Sequence, residues 1–328
     1  MVTQVQFGLC LARWVFNMMA RLWFLSATLL SFQLIAGPTT VGPLVPTYIA
    51  MPERVIAVGD IHGDCRALHT VLHKAGVVDA EFRWVAKNLV VVQVGDLVDR
   101  WVEDAKVIAR AQQLEIEARD AGGRFYVLNG NHELMNVDGD FRHVSEQGFR
   151  EFDQYRAAGI ELVNGSLAFS HDEAGRHYAF RPAGPVAQWL ATHPTILVFG
   201  SRFVAVHAGL NLRYANYGVE WINYELSQFL MGKWRRPGWI DDDENPLWTK
   251  TMGRDLIPWT RQELRAVLAL LQVDLMVVGH TPQRAGITLD DGNALWRIDT
   301  AMSRGMNGTP LFQALEITPD SVRAIGDR

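Results

Sequence analysis

Five short apolar runs, each handing over to a polar residue with a glycine close by, constrain this 328-residue chain most. Val55–Val58 leads into Gly59-Asp60-Ile61-His62-Gly63-Asp64. Leu89–Val94 leads into Gly95-Asp96-Leu97-Val98-Asp99-Arg100. Phe125–Leu128 precedes Asn129-Gly130-Asn131-His132-Glu133, Phe203–Val206 precedes His207-Ala208-Gly209, and Leu275–Val278 precedes Gly279-His280-Thr281-Pro282. Runs this short and apolar predict strands buried on both faces. Helical patterns separate them. Ala67–Ala75 puts Leu68, Val71 and Leu72 on one face, Glu103–Ala121 ends at a glycine pair, and Thr260 with Glu263 suggests a capping box ahead of Leu264, Val267, Leu268 and Leu271. Strands alternating with helices imply an α/β fold. Residues 139–195 are less regular and read as a cap or insertion near the strand ends.

In such folds ligands gather beyond the carboxyl ends of the strands. A lone histidine after a strand is usually structural, but five polar deliveries in order are hard to explain by packing. Asp60 and His62 are two apart, so an extended segment points both to one side. Carboxylate, imidazole and amide oxygen together suit Mn, Fe or Zn. Two such cations can clamp a phosphate and activate water at neutral pH. An arginine such as Arg100 binds two phosphate oxygens with its planar fork, and a histidine such as His132 beside a carboxylate favours its protonated form.

These motifs resemble the phosphoprotein-phosphatase branch of the calcineurin-like metallophosphoesterases, and within it the Shewanella-like protein phosphatases. The specific segments are Leu128–Asn136 with Gly139-Asp140-Phe141-Arg142, Gly279–Gln283, and Trp296–Gly305. The likeness covers most of residues 53–310. It implies one α/β catalytic domain from residue 51 to 328, a two-sheet β-sandwich flanked by helices; a single doubly wound sheet is the alternative. It implies two metal ions, Mn, Fe or Zn, with Asp60 and His62 on the first, Asp96 on both, and Asn131, His207 and His280 on the second. Hydrolysis of a phosphomonoester by a hydroxide held between the metals follows, with His132 as general acid, Asp99 orienting it and Arg100 on the phosphate. For a second phosphate-binding arginine the resemblance offers Arg254, with Arg142 and Arg304 as alternatives. The implied partner is a phosphorylated protein or peptide, on Ser/Thr or Tyr. A nucleotide or dinucleoside-polyphosphate hydrolase is the alternative, and a catalytically dead phospho-binding protein a third reading. Where relatives carry glycine after the Asp-Arg pair, this chain has Trp101, which suggests an altered loop there.

Composition narrows the remaining choices. Net charge is -5 with no dense basic block, so a nucleic-acid surface is not indicated. Two cysteines, Cys10 and Cys65, exclude a disulfide framework, and Cys65 reads as a small reduced side chain. The first 50 residues hold no Asp, Glu or Lys, and an apolar run from Leu22 to Ala36 follows Arg13 and Arg21. This segment is expected to be a secretory or organellar targeting leader, or a short anchor giving membrane contact. Asp241–Glu244 reads as a solvated acidic loop, the Trp234, Trp239, Trp248 and Trp259 group as packing, and the triplets at Asn164 and Asn307 as weak glycosylation signals.

Overall fold

A computed structural model describes residues 45–163 and 169–327. The expected leader lies, except for its last residues, outside them, as does the triplet at Asn164. Two sheets form. The five-stranded one has the order β11-β10-β2-β3-β4, from Val322–Gly326, Gln313–Ile317, Val55–Val58, Val90–Gln93 and Arg124–Val127. The six-stranded one has the order β1-β5-β6-β7-β9-β8, from Tyr48–Ile49, Ile196–Phe199, Phe203–Val206, Leu275–Val278, Leu295–Arg297 and Thr288–Asp290. The architecture is therefore the two-sheet sandwich, and the doubly wound alternative is excluded.

Side-chain alternation along β2 shows how the layers are made. Val55 and Ala57 join Val90, Val92, Phe203, Ala205, Leu275 and Val277 in the apolar layer between the sheets. Ile56 and Val58 point the other way, into a core shared with Leu68, Val71 and Leu72 of the Cys65–Lys74 helix and Val107, Ala111 and Leu114 of the Asp104–Asp120 helix. Burial on both faces explains why these strands read as unbroken apolar runs.

Register then sets where the site must lie. β2, β3 and β4 run parallel, with Val58 level with Gln93 and Gln93 level with Val127. β6, β7 and β9 run parallel, with Val206 level with Val278 and Val278 level with Arg297. The loops after the strands thus leave each sheet along one edge, carrying Asp60, Asp96, Asn131, His207 and His280.

Several expectations are corrected. Thr260 is not an N-cap: the helix starts at Pro258, whose missing N–H suits a first turn, and Thr260 donates to Ile257 O. Glu263 instead accepts from Leu212 N. The described parts of residues 139–195 carry helices at Glu146–Arg150, Arg156–Val163, Ala174–Phe180 and Pro185–Leu190. Helices of five to eight residues show too little of a period to be read from sequence. Tyr48–Ile49, ahead of residue 51, pairs with β5. That edge is tied to buried Asn223, which accepts from Thr195 N (2.8 Å) and Ile196 N (3.0 Å) and donates to Thr47 Oγ1 (2.9 Å) and Ile196 O (2.7 Å). Asn223→Ala is expected to cost about 2 kcal/mol or more, because it strands buried backbone donors. Urea unfolding checks this; a loss below about 0.5 kcal/mol, the scale of an ordinary surface change, contradicts it.

Candidate active site

The five loops converge. Asp96 stands at the centre: its Oδ1 lies 3.3 Å from His207 Nε2, and its Oδ2 lies 3.9 Å from His62 Nε2 and 3.8 Å from His132 Nε2. Asp60 Oδ2 is 3.9 Å from His62 Nε2. Asn131 Oδ1 sits 2.9 Å from His207 Nε2 and 2.8 Å from His280 Nδ1. Two overlapping donor groups result, His62–Asp96–His132 and Asp96–His207–His280, each with its ligand atoms within 4.8 Å of one another.

Local backbone explains the convergence. His62, Asp96, Asp99, Arg100 and His280 all adopt left-handed φ, between 47° and 72°. Such residues are held only when surroundings over-determine them, and they gather at working sites. Glu133 supplies much of that constraint: its carboxylate accepts from the N–H groups of Asp96, Leu97 and Gly130 at 2.8–2.9 Å. Gly130 admits no side chain, because a Cβ would meet Asp96. The unusual backbone expected at Trp101 falls instead on Asp99 and Arg100. Trp101 Nα–H donates to Asp99 O, and its ring carries the Arg304 guanidinium at 4.7 Å.

The electrostatics fit metal ligation. His207 and His62 each turn Nδ1 to a backbone carbonyl, Val94 O at 2.9 Å and Val98 O at 3.2 Å. A carbonyl only accepts, so Nδ1 carries the proton and the Nε2 lone pair faces the cluster. Burial, with neighbouring His132, pushes His62 down to about 3, and burial with His207 does the same to His280. Both stay neutral, as a ligand must. Buried carboxylates meanwhile lack cations. Burial and the charges of Asp299 and Asp96 raise Asp60 well above the usual range, and burial drives Asp299 to about 6 and Glu133 to about 7. His280 Nε2 and Asp299 Oδ2 are buried without partners. His207 differs from His62 and His280: burial would lower it, but Asp96 and the hydrogen bonds it makes raise it above the ordinary value. Imidazole nitrogens set around buried carboxylates suit divalent cations.

Beside the cluster lies a pair suited to proton transfer. His132 Nδ1 is 2.7 Å from Asp99 Oδ2, and its Nε2 is 3.3 Å from Arg100 Nη2. Burial alone would lower His132, but Asp96 and the hydrogen bond to Asp99 outweigh it and raise it above the ordinary value. A cavity of about 360 Å³ opens here, and its lining includes Arg100, His132, His143, Trp248, Lys250 and Arg254. Of the three candidates for a second phosphate-binding arginine, only Arg254 reaches it. Arg142 is exposed and clamped by the Asp140 carboxylate, and Arg304 is drawn off by Asp64 (2.8 Å) and Glu103 (3.1 Å).

Sequence reasoning missed three members. Asp299 leaves β9 at the same edge as the other loops, and its carboxylate is fully buried there. Asn136 and Arg176 complete the surroundings of Asp99. Arg176 stood in the stretch read as irregular, where an arginine is ordinarily solvated. Of the other features, the tryptophan group read as packing divides: Trp239 is buried, Trp248 lines the cavity, and Trp234 and Trp259 are exposed. Cys65 is buried and its thiol is pushed up by burial, and the 241–244 acids bind Arg236, Arg213, Tyr214, Thr249 and Thr251. No helix among the described residues is long and apolar enough to cross a membrane.

Comparison with known proteins agrees with this geometry. The profile of the calcineurin-like phosphoesterases matches residues 53–284. Shewanella-like protein phosphatase 2 of Arabidopsis thaliana is 32% identical over 315 residues, covering 87% of this chain and 80% of the relative. Shewanella-like protein phosphatase 1 of Plasmodium berghei is 27% identical, covering 83% and 74%. The crystal structure of a cold-active protein-tyrosine phosphatase from a psychrophilic Shewanella superposes with a TM-score of 0.62 at 24% identity over 86% of this chain and 80% of that one, a likeness of fold. The chain belongs to the calcineurin-like phosphoesterases, hydrolases of phosphate esters that bind divalent metals, and within them to the Shewanella-like protein phosphatases.

Proposed function

We propose that this protein is a two-metal phosphomonoesterase acting on phosphorylated proteins. The observation that carries the reading is the meeting, at one cavity, of a buried His132–Asp99 pair, Arg100 and two donor groups sharing Asp96. Asp60, His62 and Asp96 would hold one ion, and Asp96, Asn131, His207 and His280 the other; Mn, Fe and Zn would all suit these donors. When bound, the ions supply Lewis acidity and the activated water of hydrolysis. Arg100 and Arg254 grip the equatorial phosphate oxygens. His132 delivers its Nε2 proton to the departing alkoxide or phenolate while Asp99 holds the ring and stabilises its charge. The relatives' names support a phosphoprotein substrate.

The experiment sets phosphoserine, phosphothreonine and phosphotyrosine peptides beside a dinucleoside polyphosphate, with Mn present. Phosphopeptide hydrolysis at least tenfold the faster in kcat/KM is expected; a preference for the polyphosphate would make the alternative hydrolase the better reading. Arg254→Ala is expected to lower kcat/KM by about ten- to a hundredfold, the value of a charged hydrogen bond to phosphate. Arg142→Ala, an exposed change, should alter it by about twofold at most. Equal effects would remove Arg254 from the site.

The leader is proposed to act as an address or anchor for the catalytic domain. A chain starting at Leu44, which keeps the Thr47–Ile49 edge, is expected to retain turnover while a tagged full chain is cleaved or sorted to a membrane or organelle. A diffuse, uncleaved full chain in the cytosol would contradict this.

A further inference from the structure

Arg176 has no exposed surface, yet it carries a full charge. Each nitrogen of its guanidinium is engaged, through four hydrogen bonds in all. Nε donates to Asn136 Oδ1 (2.6 Å), Nη1 to Asp104 Oδ2 (2.7 Å) and Gly148 O (3.0 Å), and Nη2 to Asp99 Oδ1 (2.7 Å). The rings of Phe152 and Phe180 lie 5.1 and 5.0 Å from its central carbon. A planar fork is needed to serve these acceptors together; an ammonium cannot.

The network closes on the pair at the cavity. Asp99 Oδ1 takes Arg176 and Asn136 (2.9 Å), which leaves Oδ2 for His132 Nδ1. Asn136 also donates to His132 O (2.8 Å), and Asp104 Oδ1 accepts from Asp99 N (2.9 Å). Asp104, Arg176, Asp99 and His132 thus alternate in sign when His132 is protonated. Asp99 itself sits at φ 72°, a conformation that needs outside constraint. Asp104, Asn136 and Arg176 hold it directly, and Arg176 is itself held by Gly148 O and the rings of Phe152 and Phe180.

We propose that Arg176 is the positioning residue of the His132–Asp99 pair, and that through it the Ala174–Phe180 helix keeps the proton donor aimed at the leaving group. This rests on the reading of His132 as general acid. A purely structural role predicts something else: breaking the buried pairs lowers stability and with it the active fraction, a loss that falls on all substrates alike.

The test uses Arg176→Lys in the full chain, with Arg176→Gln as a more disruptive companion; if the Gln variant does not fold, the Lys variant decides alone. Turnover is measured on an alkyl phosphate and on p-nitrophenyl phosphate with Mn, together with bound metal. For Arg176→Lys, kcat on the alkyl ester is expected to fall about tenfold or more, part of the hundredfold scale of a general acid. On p-nitrophenyl phosphate it should change less than about threefold, because that phenolate leaves with little need of a proton. KM and metal content should stay unchanged. Equal losses on both esters, no loss on the alkyl ester, or loss of metal would overturn the proposal. His132→Asn is run alongside. If it shows the leaving-group selectivity and Arg176→Lys does not, only the role of Arg176 fails; if it shows none, the general-acid reading fails with it.

Discussion

Asp96→Asn is expected to abolish both metal binding and turnover, with activity down on the order of a thousandfold or more. The carboxylate is the one group shared by both donor sets, and it lies within 3.9 Å of three imidazoles. Its own charge is favoured: burial pushes it up, but His207 and His132 outweigh this and hold it well below the ordinary range. An amide would offer one neutral oxygen where the carboxylate would face the metal sites on both sides. Asp96 Oδ1 also accepts from His132 N (3.0 Å), so the change loosens the start of the Asn131–Asp138 helix. Elemental analysis after gel filtration, with phosphate release in parallel, reads the result. A variant that keeps two metals and a tenth of the activity would remove Asp96 from its central place.

His132→Asn should behave differently, although its ring belongs to the same donor group as His62 and Asp96. The metal should stay while kcat on an alkyl phosphate falls roughly a hundredfold, the usual cost of a lost general acid. On p-nitrophenyl phosphate the fall should be much smaller. Geometry sets His132 apart: Asp99 Oδ2 lies 2.7 Å from its Nδ1, whereas His62 and His207 turn Nδ1 to backbone carbonyls and His280 turns Nδ1 to Asn131 Oδ1. Loss of metal from His132→Asn, or equal losses on both esters, would mean that the ring serves as a ligand instead.

Much of this was legible in the chain because the relevant signals are local. A strand buried on both faces must be apolar throughout, so Val55–Val58, Phe203–Val206 and Leu275–Val278 showed themselves at their full extents. The residue that follows such a strand leaves the sheet at a fixed edge, which made Asp60, Asp96, Asn131, His207 and His280 readable as a set. The edge strands were not readable. Tyr48–Ile49 has two residues, and Thr288–Asp290 is mostly polar, so neither carries a period. The Ala174–Phe180 helix, seven residues long and capped without a side chain, offers little pattern. Arg176 was missed for a deeper reason. Its role depends on three residues far away in sequence, Asp99, Asp104 and Asn136, and no local rule links them. Arg142 and Arg304 show the converse: sequence displays a charge but not the carboxylate that binds it.

The claim that this is a metal-dependent phosphoprotein phosphatase is tested most directly by stripping the protein with a chelator and following phosphate release from a phosphopeptide as Mn is returned. Hydrolysis that is negligible in the stripped protein, and that rises with Mn to a plateau at two ions per chain, is the result expected. Release that proceeds equally without metal, or a fully loaded protein inert toward every phosphopeptide, would contradict the account.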